Sequence, residues 1–312
     1  MEIIEVSAEE FKSIIPNPYH IFGSAPFVEL NADKAEDVYY LLFKDSKYRL
    51  GLTGGVRGSS FYSPFSAPFG GFVFLNDDVR ISILDEAITS LLEWAKDKQL
   101  ISFHLTLPPP VYNESFISKQ VNALYRKKFD ISNIDLSYSF NLDNFSETYP
   151  SSIWRNARKN LKIAFENELL FVECKNNEEK KLAYDIIRKN REARGFPLHM
   201  SWEQVLKTTQ LIPSGFFLVK DSQGRAIASA VIFHVAVKIV RVIYWGDLPG
   251  VTHLKTMNFL SYKVFEHFKA QGIQTVDIGI STENSVPNHG LCEFKESIGC
   301  DINTKFAFTK RI

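Results

Sequence analysis

Cysteine is scarce in this chain: Cys174, Cys292 and Cys300 are the only ones among 312 residues. An odd count of three without a CxxC pair makes no disulfide framework. It also leaves zinc or thioredoxin-like redox chemistry without support, and no metal is expected. Net charge is lacking too, with Lys+Arg and Asp+Glu balanced at 36 each. Overall charge therefore gives no reason to expect a general nucleic-acid or membrane-surface binder, although a local basic patch stays open. The long apolar run of a membrane helix is missing. The greasiest stretch, residues 227–245, is broken by His234, Lys238 and Arg241, and its β-branched richness reads as two strands. Residues 1–10 have neither the basic nor the apolar region of a signal peptide, so a cytoplasmic location is the expectation. HExxH, GxSxG and Walker patterns are all absent, which removes several enzyme classes.

What the chain does have is aromatic bulk and order. Phe occurs 26 times, apolar residues make up 45% and charged residues 23%, an ordinary globular composition with room for large aromatic cores. At roughly 150 residues per domain, two domains fit. The apolar spacing at Leu84, Ile88, Leu91, Leu92 and Ala95 predicts a helix over 81–98. Similar patterns predict helices over 8–14, 116–128, 153–166, 178–194 and 253–271. Another starts near Ser201, where Ser201 and Gln204 form a capping-box pattern. Strands are expected over 38–43, 48–52, 101–107, 136–142, 169–174, 216–220, 226–234, 239–246, 275–280 and 304–308. The proline-rich segment 64–71 cannot be a central strand. It either brings backbone N–H groups to a ligand or forms a wall between domains.

Hairpin, further strand, long helix and parallel-looking strand thus occur in both halves, a repeat of architecture and not of residue identity. It predicts two related α/β domains with mixed sheets, residues 1–149 and 150–312, divided near 148–151. The densest clue lies near the end: Asp277-Ile-Gly-Ile-Ser281, a loop, then Asn288-His-Gly-Leu-Cys-Glu-Phe-Lys295 and Gly299.

These residues resemble the GNAT-type acyltransferase fold in its FemABX-like branch, which carries two GNAT-like domains in tandem. Trp154-Arg-Asn-Ala-Arg-Lys-Asn-Leu161 looks like the basic helix opening the second domain. The stretch from Gly224-Arg-Ala-Ile-Ala-Ser-Ala230 through Tyr244-Trp-Gly-Asp247 looks like the central hairpin. The segment from Asn288 to Lys295 with Gly299 looks like the closing loop and helix. The resemblance implies an acyl- or aminoacyltransferase that forms an amide on a small molecule or a cell-wall (peptidoglycan) precursor, with acyl-CoA or charged tRNA as donor. Acetyl-CoA-binding members hold the pyrophosphate with a glycine-rich loop after the hairpin. Here that position reads Leu248-Pro-Gly-Val-Thr-His-Leu-Lys-Thr256, with one glycine. The same degenerate loop supports the alternative of a non-catalytic binding protein that has lost the donor site.

Candidate site residues follow. Lys295 either stabilises the oxyanion formed when an amine attacks an ester or thioester, or is a snorkelling surface lysine. Asp277 or Asp247 either takes the proton of that amine or caps a turn. Arg155, Arg158, Lys159 and Lys162 share one helix face, which is either an anion cradle for a phosphate-bearing substrate or tRNA end, or a solvated basic face. Asn288 caps the last helix, and His289 is either a proton shuttle or an exposed loop residue. Tyr244 and Trp245 line a groove or pack the core, on opposite strand faces. His199 lies in a loop after a charged helix and either closes the cleft or is plain loop. Cys292 lacks a histidine–carboxylate partnership and is a poor nucleophile.

Overall fold

A computed structural model describes residues 1–196 and 198–312. Only Pro197, in the segment carrying His199, lies outside the described residues. The chain divides into two compact units, the first made of Met1–Ser137, Thr282–Val286 and Asn303–Ile312, the second of Tyr138–Ser281 and Pro287–Ile302. These units are discontinuous in sequence, whereas the division into 1–149 and 150–312 follows chain order.

The first stretch of chain runs β1 (Glu2–Glu5), α1 (Ala8–Ile14), α2 (Ala25–Leu30), β2 (Asp37–Lys44), β3 (Tyr48–Arg57), β4 (Ser60–Ser63), β5 (Phe72–Phe74), α3 (Ile81–Asp97), β6 (Ser102–Thr106), α4 (Glu114–Arg126) and β7 (Asp130–Asn141). Strands β1 to β4 pair in sequence, each antiparallel to the next, and β6 then joins β4 in parallel. The helix over 81–98 forms because its apolar positions fall on one face. Leu84, Ala87, Ile88, Leu91 and Ala95 are all fully buried. Against them lies an aromatic core in which Phe43 meets Phe72 at 5.3 Å and Phe61 meets Phe103 at 5.4 Å between ring centroids. Burying each such ring contributes about 2–3 kcal/mol. The segment 64–71 is irregular, as its prolines require.

The second stretch runs α5 (Tyr149–Ser152), α6 (Arg155–Glu166), β8 (Leu170–Glu173), α7 (Asn177–Ala193), α8 (Trp202–Leu211), β9 (Ser214–Lys220), β10 (Ala226–Ala236), β11 (Ile239–Asp247), α9 (Thr256–Ala270), β12 (Thr275–Ile280), β13 (Thr282–Glu283), β14 (Val286–Pro287), α10 (His289–Ser297) and β15 (Asp301–Arg311). Here β8 to β11 form the antiparallel series and β12 joins β11 in parallel. The order of pairing in the first stretch is thus repeated, which bears out the tandem mixed-sheet reading. Local chemistry sets several ends. Ser201 and Gln204 make a complete capping box at α8, and Gly272, with φ +74°, stops α9.

The closing strand of the chain departs from the expectation of two sequential halves. Residues 303–312 belong to the first unit, where β15 pairs antiparallel with β6 from Ala307↔Thr106 to Arg311↔Ser102. The last residues of β7, 138–141, belong to the second unit. Just beyond them Leu142 donates its N–H to the Gln274 carbonyl at 2.8 Å.

Candidate active site

The second unit contains a fork between two parallel strands. β11 and β12 are in register over Ile239↔Thr275, Val240↔Val276 and Arg241↔Asp277. Beyond that point β11 continues to Asp247 and β12 to Ile280 without further register partners between them. A bulge lies two residues on. Against β10, Val231 pairs with Tyr244 while Ile232 pairs with Val242, so Ile243 is an extra, bulged residue. A bulge bends its strand and sharpens its twist, and here it turns β11 away from β12.

The crotch of the fork is charged and buried. Arg241 is 8% exposed, Asp277 is fully buried, and the guanidinium forms an ion pair with the Asp277 carboxylate. Asp277 Oδ1 also accepts the N–H of Gly279 at 2.7 Å. Gly279 has φ +76°, and a Cβ there would stand 3.1 Å from Arg241 Nη2. Glycine is therefore needed for backbone conformation and for space alike.

Lys295 sits on α10 with its ammonium directed at the end of β12. It is 2% exposed, and its Nζ donates to the carbonyls of Ile278 at 3.2 Å, Gly279 at 2.9 Å and Ile280 at 3.0 Å. Nζ also stands 5.1 Å from the Tyr138 ring centroid. Burial pulls the Lys295 pKa down to about 7, while the three carbonyls and the aromatic face favour the cation. The snorkelling reading of this lysine is thereby overturned: the side chain points inward and all three donors are used. Asn288 caps α10 as expected, its Oδ1 accepting the N–H of Leu291 at 3.1 Å. His289 is exposed in the first turn. Beside them the Ser281 hydroxyl is buried without a hydrogen-bond partner among the described residues.

The structure thus gathers Asp277, Lys295, Asn288 and His289 around the end of β12 and the start of α10. Tyr244 it places in the core. The ring is 8% exposed, its hydroxyl faces the backbone of Met200 and His199, and burial raises its pKa. Trp245, on the opposite face of β11, is half-buried with its ring 6.2 Å from Phe294. Arg155, Arg158 and Lys159 stand exposed on α6, and no hydrogen bond or ion pair among the described residues ties them to the fork. Arg241 escaped sequence reasoning, where it counted only as an interruption of an apolar run. A charged residue inside a β-branched strand was the signal that could have found it.

Coenzyme A fits the next loop poorly. Asp247 Oδ2 accepts the hydroxyl of Thr256, the first residue of α9, at 2.6 Å, and Asn190 Nδ2 donates to the Asp247 carbonyl at 2.6 Å. A carboxylate already occupies the helix start where a pyrophosphate would be held, and like charges repel. Among the described residues no cluster of His, Cys, Asp and Glu could hold a metal ion, and no helix is long and apolar enough to cross a membrane.

No protein-family model matches this chain, and no curated protein matches its sequence. Solved structures do resemble it. FemX aligns over 100% of this chain and 98% of its own with a TM-score of 0.72 at 12% identity. The C-terminal domain of a putative lysylphosphatidylglycerol synthetase from Agrobacterium fabrum covers 97% of this chain and 92% of its own, with a TM-score of 0.61 at 11% identity. A tandem GNAT protein from the clavulanic acid biosynthesis pathway covers 99% and 98%, with a TM-score of 0.52 at 10% identity. Together they show a FemABX-like fold of two tandem GNAT-type domains. Identities this low establish the fold alone.

Proposed function

We propose that the protein is an acyl- or aminoacyltransferase forming an amide on the amine of a small molecule or peptidoglycan precursor, with residues 1–149 and 150–312 as the two GNAT-like repeats in chain order and the closing strand β15 returning to the first unit. The observation that carries this reading is the β11–β12 fork, opened by the bulge at Ile243 and floored by the Arg241–Asp277 pair. A fork of this kind leaves backbone groups of β11 free to bond an extended donor, with its carbonyl near the end of β12. The amine attacks that carbonyl directly, the tetrahedral oxyanion collapses as the ester or thioester bond breaks, the leaving ribose hydroxyl or thiol takes up the proton that the amine gives up, and the protein contributes mainly positioning and charge stabilisation.

In this reading Lys295 stabilises the oxyanion by giving up one of its three carbonyl acceptors as negative charge develops nearby. Asp277 changes role. Both of its oxygens are engaged and it is fully buried, so it orients Arg241 and Gly279 and does not face an incoming amine. Asn288 caps the helix that carries Lys295, and exposed His289 relays protons at its mouth. Arg155, Arg158 and Lys159 bind an anion outside the fork. The carboxylate at the start of α9 argues for an aminoacyl ester donor, such as charged tRNA, over acyl-CoA. The putative synthetase among the similar structures is itself named for a lysyl, and so aminoacyl, product.

The test is incubation with charged tRNAs, and separately with acyl-CoAs, in the presence of nucleotide-linked cell-wall precursors, with product read by mass spectrometry. The expected result is a one-residue mass gain that Lys295→Met reduces by about 10²–10³-fold. Full turnover in that variant would remove the catalytic assignment. A second reading, a binding protein without catalysis, is favoured by one fact: the Lys295 ammonium has no donor left over. Thermal stabilisation by a donor or precursor without any product would establish it.

A further inference from the structure

The surface around α6 carries a pattern that the chemistry of the fork does not use. Buried Ala157, Leu161 and Ala164 hold the helix against its unit, yet three large apolar groups nearby stay in solvent. Trp154 is 47% exposed, Phe165 45% and Leu170, at the start of β8, 57%. Trp154 and Phe165 are eleven residues apart, three helical turns, so they lie along one edge of the helix. Arg158 falls on the same row and Lys162 beside it, with Arg155 and Lys159 on the next rows, all exposed. Phe165 rests on Phe259 at 5.8 Å. Phe259 in turn floors a shallow groove with Leu170, Phe171, Lys263 and His267.

The carboxylates near this face do not cancel its charge. Glu166 lies 3.9 Å from Lys162, and Glu266 is held by Lys263 at 2.6 Å. Glu168 is exposed in the turn that follows α6. Arg155, Arg158 and Lys159 are left without an acidic partner among the described residues. Cations thus share an edge with exposed aromatic rings, and a groove of mixed lining, apolar at Leu169, Leu170, Phe171 and Phe259 and polar at Lys263, Glu266 and His267, opens beside them.

We propose that this face docks on an anionic phospholipid bilayer, the three cations among the headgroups and Trp154, Phe165 and Leu170 dipping into the acyl boundary. Two features select lipid over an RNA strand, which basic residues alone would suit equally. The exposed leucine and the apolar side of the groove, Leu169, Leu170, Phe171 and Phe259, have nothing to offer a phosphate–sugar chain, whereas a bilayer presents phosphate and hydrocarbon as adjacent layers in that order. Trp and Phe flanked by Arg and Lys are residues that the membrane interface favours. Neutral overall charge is no obstacle, because the attraction is local and falls off within a Debye length. The proposal rests on the assignment of the α6 face to anion binding and not on the reaction at the fork.

The experiment is vesicle co-sedimentation with the full chain. Phosphatidylcholine vesicles are compared with vesicles carrying about 30 mol% phosphatidylglycerol, at low and high salt. The expected result is partitioning at least about tenfold stronger to the anionic vesicles, lost at high salt. The triple variant Arg155→Glu, Arg158→Glu, Lys159→Glu abolishes the preference for anionic lipid. The variant Trp154→Ser, Phe165→Ser, Leu170→Ser lowers partitioning about tenfold. The glutamate variant changes only solvent-exposed side chains and keeps the wild-type melting temperature, whereas Trp154 and Phe165 are half-buried, so the serine variant is assayed below its own melting temperature, set by thermal denaturation. Tryptophan emission shifts to the blue on anionic vesicles in the wild type and not in Trp154→Phe. Equal partitioning to both vesicle types, or wild-type partitioning in both triple variants, overturns the proposal. So does binding to a tRNA that outcompetes anionic vesicles and is lost in the triple glutamate variant, which assigns the face to nucleic acid.

Discussion

His20 offers the sharpest test of the buried chemistry in the first unit. Its ring is fully buried, and neither nitrogen has a hydrogen-bond partner among the described residues. Around it stand Tyr19, Phe22, Phe69 and Tyr112, with ring centroids 4.5 to 6.4 Å away and no charge among them. Burial alone lowers its pKa from 6.5 to about 3. The folded state therefore holds the neutral ring while the unfolded chain accepts a proton. A base whose pKa is depressed by folding contributes stability that is whole above 6.5 and is lost as the pH falls toward 3. At about 1.4 kcal/mol per pH unit, acidification to about pH 4.5 costs about 3 kcal/mol, and the full span costs about 5 kcal/mol. His20→Phe keeps a ring in the aromatic box and removes the titration. Urea denaturation of both proteins at about pH 7.5 and 4.5 isolates the effect, because shared carboxylates cancel in the difference. The wild type should lose about 3 kcal/mol more than the variant over that interval. Equal losses would mean that His20 has access to solvent or to an acceptor, and the reasoning from its isolation would be wrong.

Other outcomes follow from the fork. Arg241→Met removes the guanidinium paired with the buried Asp277 carboxylate and should cost about 3–5 kcal/mol, with Arg241→Met/Asp277→Asn costing less than the first substitution alone, as read by chemical denaturation. Gly279→Ala forces a side chain onto φ +76° against Arg241 and should cost at least about 1–2 kcal/mol, seen as a lowered melting temperature. Asn288→Ala removes the cap of α10 and should weaken protection of that helix in hydrogen exchange by about 1 kcal/mol. With the Lys295 pKa near 7, a rate that depends on its cation should fall as the pH rises through that value, and Lys295→Arg, always charged, should carry the plateau to higher pH in a kcat profile.

Local chemistry was legible wherever it is local. Asn288 reads as a cap and becomes one, because an Asx side chain and a free N–H three residues on are all that a cap requires. Ser201 and Gln204 form their box for the same reason. Lys295 was singled out by its place beside Leu291 and Phe294, but its direction was not readable. The three carbonyls it holds belong to β12, 15 to 17 residues earlier in the chain. Tyr244 and Trp245 could not be assigned to faces until β10 fixed the register, since the bulge at Ile243 shifts the alternation by one residue. Arg241 was seen as an interruption because its partner lies 36 residues away.

The sequence by itself determined that this is a chain of two mixed α/β domains, with strands and helices in a repeated order and a closing helix that presents Lys295. Those facts reside in apolar periodicity, caps and turn residues, which act within a few positions of one another. Only the tertiary structure decided that the closing strand β15 pairs with β6 in the first unit, that Arg241 and Asp277 share a buried pair, and that β11 leaves β12 just beyond them. Strand partners are chosen by backbone hydrogen bonds and face-to-face burial, which carry no mark in the local sequence of either strand.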